Sequence, residues 1–253
     1  MKKIIFSFLL ISLISCGSRK DIVYYNNIDT NVSNENVFNT VLQRDDLLMI
    51  IVSAQDPMAA QPFNLTTNLS VNPSNQAAGS QVQQQLYLVD SNGNIDFPVI
   101  GTIKAAGKSK EDLILDLKSK ISKYVINPII NVRIMNYQIA IQGEVNRPDV
   151  YRIDSERISL PEAIAKAGDL TIYGKRDNIL LIREQDGKKV THRIDLTKSD
   201  FINSDFYYLK QNDIVYVEPS SVRVNSSVIG PNITVAISVV SLLITILALT
   251  IKK

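Results

Sequence analysis

The chain has 253 residues, with 27 lysines and arginines against 25 aspartates and glutamates, so the formal net charge is only +2. A surplus this small creates no large electrostatic field that would favour nucleic acid or acidic substrates. The single histidine, His192, and the single cysteine, Cys16, cannot supply a His/Cys zinc site or a Cys–His pair, and no glycine-rich phosphate loop is found, so we predict no enzyme activity, catalytic residue, metal or cofactor.

The start of the chain has the form of a secretion signal. Two lysines precede an apolar run over residues 4–14, which at about 11 residues is too short to span a bilayer as a helix. The run ends in a Leu-Ile-Ser-Cys order that resembles the bacterial lipobox, whose cysteine is acylated. We predict a lipoprotein signal peptide over residues 1–15 and lipid attachment at Cys16. An ordinary signal peptide followed by a chance cysteine is the alternative. Gly17, in place of the aspartate that retains lipoproteins at the inner membrane, predicts the outer membrane.

Residues 16–135 predict a tether and then a small α+β unit. Residues 16–40 are polar and rich in asparagine, which is typical of a tether. The apolar run over residues 47–52 predicts a buried strand, and the Gln-, Asn-, Ser- and Pro-rich residues 55–85 predict a loop or insertion.

The rest of this unit has clear local signals. Asn92-Gly93 predicts a hairpin between strands over residues 86–89 and 95–100. Ser109, with Asp112 three residues later, predicts the start of an amphipathic helix. The alternating residues 129–135 predict a strand.

Residues 138–217 predict a second α+β unit. Strands are predicted over residues 138–145, 150–153, 178–183 and 189–194, with a final strand ending at Val217. Ser159, Pro161 and Glu162 predict a capped helix that ends at Gly168. His192 is predicted to be a surface residue of its strand. One helix beside a curled sheet is the pattern of a β-grasp fold.

The C-terminal residues predict a transmembrane helix within residues 223–253. About 19 uncharged residues, 233–251, would form a helix of roughly 28 Å, close to one hydrocarbon core. Small and hydroxyl-bearing side chains recur along it within one stripe of roughly 80°. Two interpretations stay open: the stripe lines the lumen of a ring, or it packs helix against helix. The first interpretation predicts the pore-lining residues Thr234, Ser238, Ser241, Thr245 and Lys252.

The two units in this order resemble the polysaccharide biosynthesis/export family, the Wza-like outer-membrane lipoproteins. The runs that carry the resemblance are residues 87–101, 124–132, 141–148 and 160–168. The resemblance implies a polysaccharide-export domain over residues 41–135 and one soluble-ligand-binding β-grasp (SLBB) domain over residues 136–222. Asp45, Asp149 and Asp169 depart from the family by standing where glycine is usual, but each is at a turn position that tolerates aspartate.

The resemblance also implies a function. It predicts a lipid-anchored outer-membrane protein with its body in the periplasm, forming a ring-shaped homo-oligomer that conducts capsular or exopolysaccharide passively. The implied partners are further copies of itself, membrane lipid, the polysaccharide, and an inner-membrane polysaccharide co-polymerase or tyrosine kinase, with no nucleic acid. The alternative is an envelope scaffold, anchored at both ends, whose β-grasp domain binds glycan or partner proteins without forming a pore. An enzyme acting on the glycan is disfavoured because no catalytic group stands out.

Overall fold

The computed structural model describes residues 22–26, 40–68, 82–185, 187–228 and 231–251. The predicted signal peptide, Cys16 and Lys252 lie outside these residues, so the assignments made for them stay predictions. The described chain forms two α+β domains, each with its own hydrophobic core, followed by two helices. The predicted α+β class is therefore confirmed.

The first domain combines a three-stranded antiparallel sheet with one long helix. Its elements are β1 (Leu47–Ser53), α1 (Pro57–Ala60), β2 (Thr66–Asn68), β3 (Val82–Gln84), β4 (Tyr87–Leu88), β5 (Asn94–Phe97), β6 (Gly101–Lys104), α2 (Lys110–Ile121) and β7 (Ile129–Ile134). The sheet has the order β4-β1-β7, and β2–β3 and β5–β6 form two separate antiparallel pairs.

The core of this domain follows from the periodicities of β1 and α2. Alternate residues of β1, including Leu48 and Ile50, are buried in the same cluster as Leu113 and Leu117 of α2. The predicted start of α2 is confirmed, because the Ser109 hydroxyl accepts the Asp112 N–H at 3.0 Å. Local sequence signals thus place the helix and the strand that pack together.

The predicted hairpin across Asn92-Gly93 has the right turn but the wrong strand partners. Gly93 has φ +80°, and its N–H donates to the Asp90 carbonyl at 2.8 Å. However, β4 pairs with β1, and β5 pairs with β6. The turn depends on local chemistry, whereas the strand partners depend on core packing, where the Tyr87 and Phe97 rings stack with centroids 5.3 Å apart.

The segment predicted as a loop or insertion over residues 55–85 is not all loop. Its described residues contain α1, a 3-10 turn over Gln61–Phe63, and strands β2 and β3. Phe63 is buried in the core. The Asn64 side chain both donates to and accepts from the backbone of Val52, at 2.8 and 2.9 Å, and so extends the pairing of β1. This polar segment therefore contains one core residue, Phe63, and one side chain, Asn64, that satisfies backbone groups of β1.

The second domain is a five-stranded mixed sheet beside one short helix. Its elements are β8 (Gln138–Gly143), β9 (Asp149–Arg152), α3 (Leu160–Lys166), β10 (Gly174–Gln185), β11 (Lys188–Ile194) and β12 (Ile214–Pro219). The strand order is β11-β10-β12-β8-β9, with β12 parallel to β8 and the other pairs antiparallel. Leu160 and Ile164 of α3 share one core with Ile139 and Leu181 of the sheet, as the helical spacing predicts.

Two of the three aspartates at predicted turn positions have left-handed backbone conformations. Asp45 has φ +65° and Asp169 has φ +70°. Aspartate adopts this region more readily than most residues, so it can replace glycine there. Asp149 differs, because it is the first residue of β9.

A short polar junction joins the two domains. The Asn136 side chain accepts the Leu47 N–H at 2.9 Å and donates to the Asp45 carbonyl at 2.9 Å, while its own carbonyl accepts from the Gln211 side chain. Lys110 of the first domain also contacts Glu156 of the second at 2.6 Å, which lowers the pKa of Glu156. Hydrogen bonds and one ion pair thus join the two domains.

The C-terminal residues form the helices α4 (Ser221–Val228) and α5 (Pro231–Ile251). Along the part of the chain that the structure describes, no helix is long and apolar enough to cross a membrane. The transmembrane helix predicted within residues 223–253 is therefore not found.

The buried carboxyl group of Asp46 predicts a pH dependence of stability. Asp46 is 1% exposed, and burial raises its pKa to about 6, although Oδ2 accepts the Gln43 N–H at 2.8 Å. Oδ1 has no hydrogen-bond partner among the described residues. Because the folded pKa lies above the unfolded value, the folded state binds the proton more tightly. The ionised form therefore costs up to about 3 kcal/mol at pH 7.

We expect the free energy of unfolding to rise as the pH falls from about 7 to about 5, and the Asp46→Asn variant to lack this rise. Urea unfolding at pH 5, 6 and 7, followed by circular dichroism, measures it in both proteins. The two proteins are compared by how their free energy of unfolding changes with pH, because the asparagine side chain of the variant itself alters the absolute stability. Parallel profiles would contradict the prediction.

Candidate functional site

Helix α3 is the fixed element around which the candidate site forms. The Ser159 N–H and hydroxyl both donate to Glu162 Oε2 at 2.8 Å, and the Glu162 N–H donates back to the Ser159 hydroxyl at 3.3 Å. This is the capping box that the sequence predicts, and the hydrogen bonds from Ser159 lower the pKa of Glu162. At the other end, Gly168 has φ +77°, as the predicted helix stop requires.

Residues 22–26, named here the N-terminal strap, lie against the second domain. The N–H groups of Tyr25 and Asn26 donate to the carbonyls of Leu196 and Thr197, at 3.2 and 2.7 Å. The sequence predicts a tether over residues 16–40, and these five residues of it are packed on the second domain. The reason is aromatic, because Tyr24 and Tyr25 pack against the core of the second domain.

Tyr24 attaches the strap next to α3. Its hydroxyl donates to Asp169 Oδ1 at 2.5 Å, and the Arg176 guanidinium lies 5.5 Å from its ring centroid. Burial, together with the Asp169 carboxylate, raises the pKa of Tyr24. Tyr24 and Tyr25 line one side of a cleft of about 270 Å³, and Ile164 and Gly168 line the other. We call this the first cleft.

A larger opening of about 630 Å³, the second groove, lies on the other side of α3. Its lining includes Arg157, Glu162, Lys166, Tyr207 and Tyr208. The Arg157 guanidinium lies over the Tyr208 ring, 5.0 Å from the centroid. The second groove therefore presents aromatic surface and charged groups of both signs.

A continuous row of aromatic rings connects the two openings. The successive centroid distances are 6.0 Å (Tyr24–Tyr25), 5.9 Å (Tyr25–Phe201), 6.3 Å (Phe201–Tyr207) and 4.9 Å (Tyr207–Tyr208). Ring pairs at these separations attract each other and hold their orientation. Both sides of α3 are thus lined by one packed aromatic row.

A buried ion pair holds the backbone next to this row of aromatic rings. Arg183 and Asp213 are 1% and 0% exposed, and Arg183 Nη2 lies 2.6 Å from Asp213 Oδ2, with a second donor, Nε, 2.9 Å from Oδ1. Arg183 also donates to the carbonyls of Asp205 and Tyr208, at 3.2 and 3.1 Å. The pair therefore fixes the backbone that carries Tyr208.

His192 lies on β11, as predicted for a strand residue, but one face of its ring is covered. It stacks on Phe206 with the ring centroids 3.9 Å apart, and Arg183 lies 5.8 Å from the centroid of Phe206. The ring of His192 therefore belongs to the packing around the ion pair.

Removing the Tyr24 hydroxyl is expected to loosen the strap. Tyr24→Phe keeps the ring but loses the bond to Asp169, which costs about 1 kcal/mol and should speed amide exchange at Tyr25 and Asn26 about fivefold. Hydrogen exchange read by mass spectrometry measures this, with Tyr173→Phe, an exposed tyrosine outside both openings, as the control. Equal exchange in all three proteins would show that the hydroxyl does not hold the strap.

Of the residues predicted as sites from the sequence, those whose side chains are described line neither opening. Cys16 and Lys252 lie outside the described residues, as does the side chain of Thr234. Ser238, Ser241 and Thr245 are exposed on α5. The Ser241 and Thr245 hydroxyls donate to carbonyls four residues earlier, both at 2.8 Å, so the helix itself satisfies these donors. Their assignment to a pore stays a prediction.

Sequence reasoning misses the aromatic components of the site. Tyr24 is assigned to a tether and Tyr207 to no element, although Ser159, Glu162 and Gly168 are assigned correctly. A signal is present: in a chain with ten tyrosines and no tryptophan, two Tyr-Tyr pairs stand at residues 24–25 and 207–208. Paired aromatics in polar segments indicate packing or binding surfaces.

The fold defines a class of two-domain α+β protein whose second domain places a five-stranded mixed sheet beside one short helix. A family model described as polysaccharide biosynthesis/export protein matches residues 34–135, and one described as SLBB domain matches residues 137–217. These matches confirm the resemblance of the chain to the polysaccharide biosynthesis/export family. This is a family of export proteins, not of enzymes.

Two curated relatives are similar to the chain over part of its length. Both are named EPS I polysaccharide export outer membrane protein EpsA. The protein from Ralstonia nicotianae (strain ATCC BAA-1114 / GMI1000) is 32% identical over 153 residues, and that from Ralstonia solanacearum is 30% identical over 152 residues. The alignments cover 58% of this chain and 40% of each relative, so the chain matches less than half the length of these proteins.

Proposed function

We propose that this protein acts in the export of a capsular or exopolysaccharide across the bacterial envelope. In this proposal it is a lipoprotein of the outer membrane, attached through Cys16, with its two domains in the periplasm. Copies of the chain form a ring that conducts the hydrated polymer passively. An inner-membrane polysaccharide co-polymerase or tyrosine kinase is the partner at the other side of the periplasm.

One observation carries the proposal: the export domain and the SLBB domain follow each other directly and are joined by paired polar groups. A junction held by these hydrogen bonds favours one arrangement of the two domains, which many copies need in order to repeat around one axis as a closed ring. The names of the two relatives support the same function and membrane. Conduction needs a wide, wet path without tight binding, so the driving force comes from synthesis by the partners.

Deleting the gene tests the proposal. We expect the surface polysaccharide to fall severely, and expression of the chain from a plasmid to restore it. Quantifying the polymer on cells and in the periplasm measures this. Electron microscopy of the detergent-solubilised protein is expected to show rings. Unchanged surface polysaccharide after deletion would refute the export function.

The second candidate is an envelope scaffold that binds glycan or partner proteins without a pore. The two openings beside α3 favour it, because concave aromatic surfaces bind ligands whether or not a pore forms. Loss of export on deletion, together with particles that contain a single copy, would support the scaffold over the ring.

A further inference from the structure

We propose that the second groove binds a glycosyl residue that bears a carboxylate, a uronic-acid unit of the transported polymer. This inference rests on the proposed function for the source of the ligand. The preference for a carboxylate is inferred from the geometry of the groove alone.

The size and lining of the groove fit a sugar. Its volume of about 630 Å³ lies within the range of about 300–1,000 Å³ that is usual for small-molecule sites. Tyr207 and Tyr208 are half-buried at its wall and stand nearly perpendicular, with an interplanar angle of 77°. A tyrosine offers an apolar face to the C–H groups of a sugar ring and a hydroxyl to its oxygens.

The charges of the groove favour an anionic sugar. Four charged residues line it: Asp154, Arg157, Glu162 and Lys166. Among the described residues, the Arg157 guanidinium and the Lys166 ammonium have no ion pair within 4 Å and no hydrogen bond. The Glu162 carboxylate, in contrast, is engaged by Ser159 in the capping box. Arg157 attracts the Glu162 carboxylate only at longer range, so two cations without an ion-pair contact face one such carboxylate, that of Asp154.

Arg157 is positioned to provide the specificity. The guanidinium of Arg157 lies over the Tyr208 ring, 5.0 Å from its centroid, so the N–H groups at the edge of the guanidinium stay available. A guanidinium edge binds a carboxylate through two parallel hydrogen bonds, whereas an ammonium acts as a point charge. A planar carboxylate on a sugar ring therefore matches Arg157 better than a hydroxyl does.

The wall that carries the tyrosines is held in place before any ligand binds. The Leu160 N–H donates to the Tyr207 carbonyl at 2.7 Å, and the Leu209 N–H donates to the Ile158 carbonyl at 3.0 Å. Arg183 adds its bond to the Tyr208 carbonyl. A site held in this way loses little conformational entropy on binding, so weak individual contacts suffice.

The test uses short oligosaccharides cut from the surface polysaccharide of the host strain, and the same fragments after chemical reduction of their carboxylates to alcohols. Isothermal titration calorimetry with the full-length, detergent-solubilised protein measures the affinity. We expect reduction to weaken binding to the wild type about tenfold, as loss of a charge-assisted pair does. Arg157→Gln should weaken binding of the native fragments about tenfold and be insensitive to reduction.

The matched control is Arg44→Gln, which removes an exposed arginine of the first domain and should bind like the wild type. The melting temperature of each variant shows that it is folded. Four outcomes would overturn the proposal. They are equal binding of native and reduced fragments, equal losses of affinity in the two arginine variants, no binding at about 10 mM, and a host polymer without carboxylates. Deletion that leaves surface polysaccharide unchanged refutes the export function but not the binding result. Loss of export without binding refutes only the groove.

Discussion

Asp213→Ala is expected to lower the free energy of unfolding by about 3–5 kcal/mol, because it leaves the Arg183 guanidinium buried without its counter-ion. The side chains of both residues are at most 1% exposed, and two arginine nitrogens contact the carboxylate at 2.6–2.9 Å. Chemical unfolding followed by circular dichroism measures the loss. The wall of the second groove should loosen as well, since Arg183 also bonds the Tyr208 carbonyl.

The matched control is a surface pair of the same domain. Arg193 and Glu218 are in contact at 2.8 Å, but the arginine is 56% exposed. Arg193→Ala is therefore expected to cost at most about 1 kcal/mol. A double variant, Arg183→Met with Asp213→Leu, should recover only part of the loss, because the Lys210 N–H and the Asp205 carbonyl lose their partners. Equal losses at the buried and the surface pair would contradict this account.

The second large effect is expected at Gly143, the last residue of β8. Gly143 has φ +90°, and a Cβ built there would lie 2.1 Å from the carbonyl oxygen of Val217 on β12. The parallel pairing of β8 with β12 brings these backbones together. Gly143→Ala should cost about 3 kcal/mol or more, because a strained backbone conformation adds to a clash with a backbone atom that cannot rotate away.

Gly187→Ala separates the two causes. Gly187 also has a positive φ, +73°, but a Cβ there would meet nothing within 4 Å among the described residues. We expect it to cost about 1–2 kcal/mol, the contribution of backbone strain alone. Unfolding by urea compares the two variants. Equal costs would show that β8 and β12 separate easily, and that the close approach is not structurally important.

The residues that hold the second domain together and those that line its groove are different sets. Arg183, Asp213 and Gly143 lie in the framework of the second domain, whereas Arg157 and Tyr208 line its groove. Framework variants should therefore change stability and ligand binding together. Groove variants should change binding alone. Comparing both sets distinguishes a binding site from a region that matters only for folding.

The sequence by itself determines those features whose causes lie within a few residues. The caps at Ser109 and Ser159 need partners only three positions away, and both helices begin as predicted. The stop at Gly168 and the turn at Gly93 depend on local backbone preference. The family follows for the same reason, because it is carried by runs of adjacent residues.

Only the tertiary structure decides which distant segments meet. Arg183 and Asp213 are 30 positions apart and look like ordinary surface charges in the sequence. Tyr24 reaches Asp169 across 145 positions, so a segment with the composition of a tether becomes one wall of the first cleft. Burial and strand pairing depend on the packing of the whole core, which the alternation of residues in one segment does not specify. The second groove therefore becomes visible only after the chain has folded around α3.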